Sequence, residues 1–169
     1  MGAEILVMVV LPVLLALAAG WDLASFTIPN LLSAAVAAAF ILFLAVVPLG
    51  ASAIAWHLAA GFAGLIVGFA LFSLGYIGGG DAKLFAAVSL WLGFHDLAAY
   101  ALAASLLGGL LTLAILVLRQ YPLPAPAARQ AWIIRLHAEK SGIPYGVALA
   151  AGAFVLLPHT EIFRLAAGA

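Results

Sequence analysis

Leu74-Gly75-Tyr76-Ile77-Gly78-Gly79-Gly80-Asp81-Ala82-Lys83 places four glycines, a carboxylate and an ammonium between two strongly apolar runs. In water such a stretch would be an ordinary loop. At membrane depth, irregular backbone and an ionisable group are tolerated only inside protein or beside a water-filled cavity, so the stretch marks a functional site. The rest of the sequence answers one question: with what does Asp81 work?

The flanking sequence confirms the membrane setting. Of 169 residues, 68% are hydrophobic and only 7% charged, with a mean hydropathy of +1.31. Those values exclude an ordinary soluble domain and a disordered chain, and indicate an all-α, polytopic integral membrane protein read as one domain over residues 1–169. Six basic and six acidic residues cancel, leaving no nucleic-acid footprint. The absence of cysteine excludes disulfides, thiolate metal sites and cysteine nucleophiles. Met1-Gly2-Ala3-Glu4 lacks the basic start of a cleavable signal, so the first apolar run is read as retained.

Five runs are long enough to cross a bilayer as helices: about Ile5–Gly20, Leu31–Val47, Ala55–Leu74, Leu97–Leu118 and Tyr145–Phe163. A sixth, about Ala82–Phe94, rises only roughly 20 Å and must borrow from the glycine segment or tilt. The expected bundle therefore has about six transmembrane helices, with the short fourth following Asp81. Pro48 and Gly50 close the second span, and Gly93-Phe94-His95-Asp96 is expected to form a tight reversal. Gly64 and Gly68, spaced as GxxxG, suit close helix packing.

The one polar stretch is residues 119–142. Tyr121-Pro122-Leu123-Pro124-Ala125-Pro126 is too proline-rich for a helix. Ala127–Lys140 can form a short interfacial helix, with Trp132, Ile133 and Leu136 apolar and Arg129, Arg135 and Lys140 basic. Four of the six basic residues lie in this loop, which the positive-inside rule places in the cytoplasm. Alternating through six spans brings Asp22 and Asp81 out at that same face and puts both termini outside.

The sequence supports few catalytic classes. It contains no Gly-x-Ser-x-Gly elbow, no HExxH and no Walker-type phosphate loop, and its four histidines fall at different levels of the bundle. His137-x-Glu139 alone is a poor metal signal. No metal and no cofactor is expected. Two aspartates at one face remain. Carboxylates brought within a few ångströms do not both ionise easily, so the pair shares one proton. The charged member can take a proton from attacking water, and the neutral member can hydrogen-bond the carbonyl oxygen and later protonate the leaving nitrogen. The glycines are expected to give room for an extended substrate backbone. Lys83 can pair with Asp81 or reach lipid phosphate. A different class, a small proton- or ion-coupled transporter using the aspartates as a relay, would need an inverted repeat, and none is evident.

Gly78-Gly79-Gly80-Asp81-Ala82-Lys83-Leu84 resembles the GxGD signature of type IV prepilin leader peptidases. Asp22 followed by Ile28-Pro29-Asn30 is similar to that family's first aspartate motif, and Ile143-Pro144-Tyr145-Gly146-Val147-Ala148 resembles its final-helix signature. All three occur in family order. The resemblance implies that Asp22 and Asp81 are the catalytic dyad, with Gly78, Gly80, Lys83, Pro29 and Asn30 shaping the site. It also implies a prepilin or pseudopilin substrate with a short basic leader, cut at the cytoplasmic face of the bacterial inner membrane, and association with pilus assembly machinery. Lacking the cysteine-bearing N-terminal segment of larger members, the chain is most similar to the short TadV/CpaA group of tight-adherence (Flp) pilus systems, and N-methylation is not expected of it. Ala24-Ser25-Phe26-Thr27 stands where many relatives carry arginines. Trp21-Asp22 and Ile28-Pro29-Asn30 argue against the presenilin-like branch of GxGD proteases.

Overall fold

The computed structural model describes residues 2–139 and 141–168, which form helices joined by short connections, with no strand among them. Three helices are long and apolar enough to cross a membrane: Gly2–Ser25 (α1), Ala51–Ser73 (α3) and Gly79–Leu118. Between the first two lies the shorter apolar helix Asn30–Val46 (α2). The forty-residue helix is interrupted at Gly93, whose φ of 77° and ψ of 171° are not helical. We number its two parts α4 (residues 79–92) and α5 (residues 94–118).

That interruption is a reversal of the chain. In a continuous helix Phe85 and Tyr100 would stand about 22 Å apart. Instead their rings stack with centroids 5.1 Å apart and planes 12° apart, so α4 and α5 fold back on each other. The expected turn over Gly93–Asp96 is thus made by a single glycine, with His95 and Asp96 already helical. The reversal stops the hydrogen-bond ladder and frees the Leu90 carbonyl. Buried His57 on α3 donates its Nδ1 proton to that oxygen at 2.8 Å. The same ring covers Gly93, where a Cβ would stand 3.1 Å from His57 Cε1.

Small residues let the helices approach. Gly61, Gly64 and Gly68 on α3 face Leu90, Ser89 with Ala86, and Ala82 on α4, and a Cβ on Gly68 would stand 3.0 Å from the Ala82 backbone. On the other side of α4, Trp91 is fully buried against α2. It packs on Phe40 and Phe43 and donates its indole N–H to the Val36 carbonyl at 2.9 Å. Large apolar side chains such as Leu31, Ile41, Phe62, Phe69, Leu106 and Leu110 face outward, as lipid contact requires.

Several boundaries differ from those expected, each for a local reason. The first span continues past Gly20 to Ser25, which places Asp22 inside the helix rather than after it. Near its start, Leu6–Val10 forms a π turn because Pro12 has no N–H to offer the preceding turn. The last span is two pieces: Tyr145–Leu156 (α7) and Glu161–Ala167 (α8). They are bent by 59° across a 3₁₀ turn containing Pro158, and Thr160 caps α8 through the Phe163 amide. The interfacial helix shortens to Ala131–His137 (α6), preceded by a 3₁₀ turn over Ala127–Arg129. Lys140, the end of the expected helix, lies outside the described residues.

The hairpin puts residue 98 near one end of the bundle and residue 128 at the other. Since the chain has no cysteine, Ala98→Cys and Ala128→Cys are each uniquely addressable, and impermeant maleimide should label them from opposite sides of the membrane. Labelling of both from one side would overturn the six-span topology.

Candidate active site

Asp22 sits in the last turn of α1, where the helix must end. Its carbonyl accepts the Phe26 amide at 2.7 Å, and Phe26 adopts a left-handed conformation (φ 57°) that only tertiary packing makes worthwhile for a residue with a side chain. The Asp22 side chain is almost fully buried, at 3% exposure. It is not left unpaired: Oδ2 accepts the Gly146 amide at 2.7 Å. Gly146 is the second residue of α7, so this amide is one of the donors a helix N-terminus leaves without an internal partner. Asp22 therefore caps a helix 124 residues away.

Asp81 is held in a parallel manner by its own helix. Gly78 precedes the first turn of α4, and its amide donates to Asp81 Oδ2 at 3.1 Å, the return arm of a capping box. The other oxygen, Oδ1, is buried and has no hydrogen-bond partner among the described residues. Gly80, the residue before Asp81, and Gly146, whose amide holds Asp22, both press on Ile28, so the two aspartates flank this one side chain. Buried Tyr100 stacks on Phe85, one turn below Asp81, and donates to the Leu149 carbonyl at 3.3 Å.

What brings the carboxylates together is Ile28. The extended residues between α1 and α2 drive this buried side chain between Gly80, beside Asp81, and Gly146, the partner of Asp22. A Cβ on Gly80 would stand 3.0 Å from Ile28 Cβ, and one on Gly146 2.6 Å from Ile28 Cδ1 and 2.9 Å from Asp22 Oδ2. The room provided by Gly80 is thus occupied by the chain's own Ile28, which corrects, at that position, the expectation that the glycines hold space for a substrate backbone. Gly78 has a second reason to be glycine, because a Cβ there would stand 2.9 Å from Asp81 Oδ2. Among these glycines only Gly75 has a positive φ (77°).

Pro29 precedes α2 in an extended conformation and Asn30 is its first helical residue. Asn30 Oδ1 accepts the Lys83 ammonium at 2.7 Å, tying the start of α2 to the start of α4. Lys83 therefore does not pair with Asp81. All seven singled-out residues, Asp22, Pro29, Asn30, Gly78, Gly80, Asp81 and Lys83, come to one end of the bundle. Ile28 and Gly146 lay inside quoted motifs but showed no role until α7 met α1, and Tyr100 carried no signal beyond being an aromatic in an apolar run.

The opposite end holds a cavity of about 680 Å³ lined by His57, His95, His159, Asp96, Glu161 and Arg164, among others. Three of the four histidines therefore share one level, contrary to the expectation that they scatter. His95 Nδ1 lies 3.0 Å from Asp96. Among the described residues no set of three or more His, Asp or Glu could hold a metal ion.

The proximity of the two carboxylates is directly testable. In the cysteine-free chain, Asp22→Cys/Asp81→Cys should react with both ends of dibromobimane and become fluorescent, whereas Asp22→Cys/Asp96→Cys, spanning the bundle, should not. Equal signals from the two pairs would separate the aspartates.

No curated protein and no solved structure matches the chain significantly. The model of one family, the type IV leader peptidase family, matches residues 9–113. The match covers well over half of the 169 residues and includes both aspartates, the Ile28-Pro29-Asn30 turn and the Gly93 reversal, but not Gly146. With its apolar helical bundle and both aspartates inside the matched region, the chain belongs to the type IV leader peptidase family, a family of peptidases.

Proposed function

We propose that this protein is a membrane-embedded aspartic endopeptidase that removes the leader of type IV or Flp prepilins and pseudopilins. In this reading it lies in the bacterial inner membrane, cuts at the cytoplasmic face, and carries no N-methyltransferase activity. The observation that carries the proposal is that two carboxylates flank Ile28 at one end of the bundle, each anchored through Oδ2 to a backbone amide of a helix start. Anchoring one oxygen of each leaves the other for chemistry, and Asp81 Oδ1 has no competing partner among the described residues.

With one proton shared by the dyad, the ionised carboxylate takes a proton from water as its oxygen attacks the scissile carbonyl. The protonated carboxyl hydrogen-bonds the carbonyl oxygen and transfers its proton to it as the tetrahedral intermediate forms. The C–N bond then breaks as the carboxyl that took the proton of water gives it to the leaving nitrogen, while a hydroxyl of the intermediate passes its proton to the other carboxylate and leaves one proton on the pair. No step calls on a metal or a nucleophilic side chain. Gly78, Gly80, Pro29, Asn30 and Lys83 act through position: the glycines admit Asp81 and Ile28, and the Lys83–Asn30 bond holds α2 and α4 in register. Support for the leader as substrate comes from the family, and support for the cytoplasmic face from the basic loop at the same end of the bundle.

Asp22→Asn and Asp81→Asn should each insert normally and cut a co-expressed Flp-type prepilin at least about 100-fold more slowly, the usual loss of a general acid–base group. Either variant cutting at the wild-type rate would sink the dyad. In detergent, the wild-type rate should follow a bell-shaped pH profile, because the reactive form carries one proton on the pair and is depleted on both sides. A rate that stays flat through the acid limb would contradict the shared proton.

A further inference from the structure

The loop between α5 and α7 is built more tightly than a tether needs to be. Arg119 at the end of α5 donates Nε–H to the Leu136 carbonyl at 2.9 Å. Its Nη2 reaches Ser141 Oγ at 2.7 Å, the Ser141 carbonyl at 3.3 Å and the Gly142 carbonyl at 3.2 Å. One guanidinium thus clamps the end of α6 and the segment leading to α7, four residues before the Gly146 amide that holds Asp22. On the other side of α6, Arg135 reaches the Ala24 carbonyl at 3.5 Å, two residues past Asp22.

The outward surface of this segment has a distinct chemistry. Arg129 and Arg135 are exposed, and so are two apolar side chains, Trp132 at 37% and Ile134 at 49%. Ile133 and Leu136 turn inward to line an almost wholly apolar cavity of about 360 Å³ with Tyr121, Leu123 and the end of α5. The acid in this stretch is Glu139. Because α5 and α7 are both embedded, α6 is held at the membrane surface whatever its composition, and cations beside a tryptophan there match anionic phospholipid headgroups over an acyl boundary. The basic leader that the family resemblance implies has the wrong sign for Arg129 and Arg135, which argues against a substrate-binding role for this face.

We infer that residues 129–137 dock on anionic phospholipid headgroups, and that Arg119 transmits this docking to the Gly146–Asp22 hydrogen bond. The segment would then tune the site to the charge of its own membrane. The docking stands on the surface chemistry alone; its effect on cleavage rests on the peptidase reading.

The two parts separate experimentally in the full-length protein reconstituted into vesicles of brominated phosphatidylcholine with or without phosphatidylglycerol. The fluorescence difference between wild type and Trp132→Phe isolates Trp132 from Trp21, Trp56 and Trp91. It should be quenched at least about two-fold more when phosphatidylglycerol is present, and Arg129→Gln/Arg135→Gln should abolish that dependence. Quenching that ignores lipid charge, or a dependence that survives the double substitution, overturns the docking. Prepilin cleavage by wild type should rise several-fold with phosphatidylglycerol, and Arg119→Gln, still inserted, should lose the response. Cleavage indifferent to lipid charge despite charge-dependent quenching overturns the transmission. A cleavage defect of Arg129→Gln alone that is equal in neutral and anionic vesicles would reassign the face to substrate. Absence of cleavage in every lipid would count against the peptidase reading, while the quenching still decides the docking.

Discussion

A bilayer accepts a chain reversal only where each backbone carbonyl it frees finds a donor, and here that donor is His57. The reversal at Gly93 breaks the α4–α5 helix and exposes the Leu90 oxygen. Left unpaired and buried, such a group costs roughly 1–3 kcal/mol. His57 supplies the bond from a neighbouring helix and its ring fills the space that a side chain on Gly93 would need. The rest of the bundle is arranged by this hairpin. It turns α5 back along α4, offers Tyr100, Ala104 and Gly108 to α7, and so sets the height at which the start of α7 meets the end of α1.

That height decides the site. The amides holding the two carboxylates come from different sources: Gly78 is three residues from Asp81, whereas Gly146 is 124 residues from Asp22. Asp81 is thus oriented by local helix geometry and Asp22 by tertiary assembly. Ile28 joins the two halves, since it fits only where both Gly80 and Gly146 lack a side chain. Each of these contacts concerns which polar group a carboxylate meets on leaving water, because an ionised carboxylate is expensive to bury without a partner.

Much of this was legible in the residues. Apolar run lengths marked the spans and the shortness of α4, since crossing a bilayer is a matter of length and hydropathy that side chains declare directly. The spacing of Gly64 and Gly68 marked a close approach, and the glycines before Asp81 marked the start of a helix beside a carboxylate. Less was legible wherever two distant segments had to meet. Lys83 had two plausible partners in sequence and took a third, Asn30. Three of the four histidines, far apart along the chain, converge on one cavity because the Gly93 reversal, the start of α3 and the bend before α8 share an end of the bundle.

The sequence by itself determined that this is a membrane-embedded helical chain with Asp22 and Asp81 on one face, because hydropathy, helix rise and loop charge are additive properties of residues in order. Only the tertiary structure decided what the residues around those aspartates are for. Gly80 makes room for Ile28 rather than substrate, Gly146 lends its amide to Asp22, and His57 completes the Leu90 carbonyl. The physical reason is the same in all three. A glycine in sequence says only that something comes close, and a buried polar group says only that it needs a partner; what comes close, and which partner answers, depends on which helices pack together.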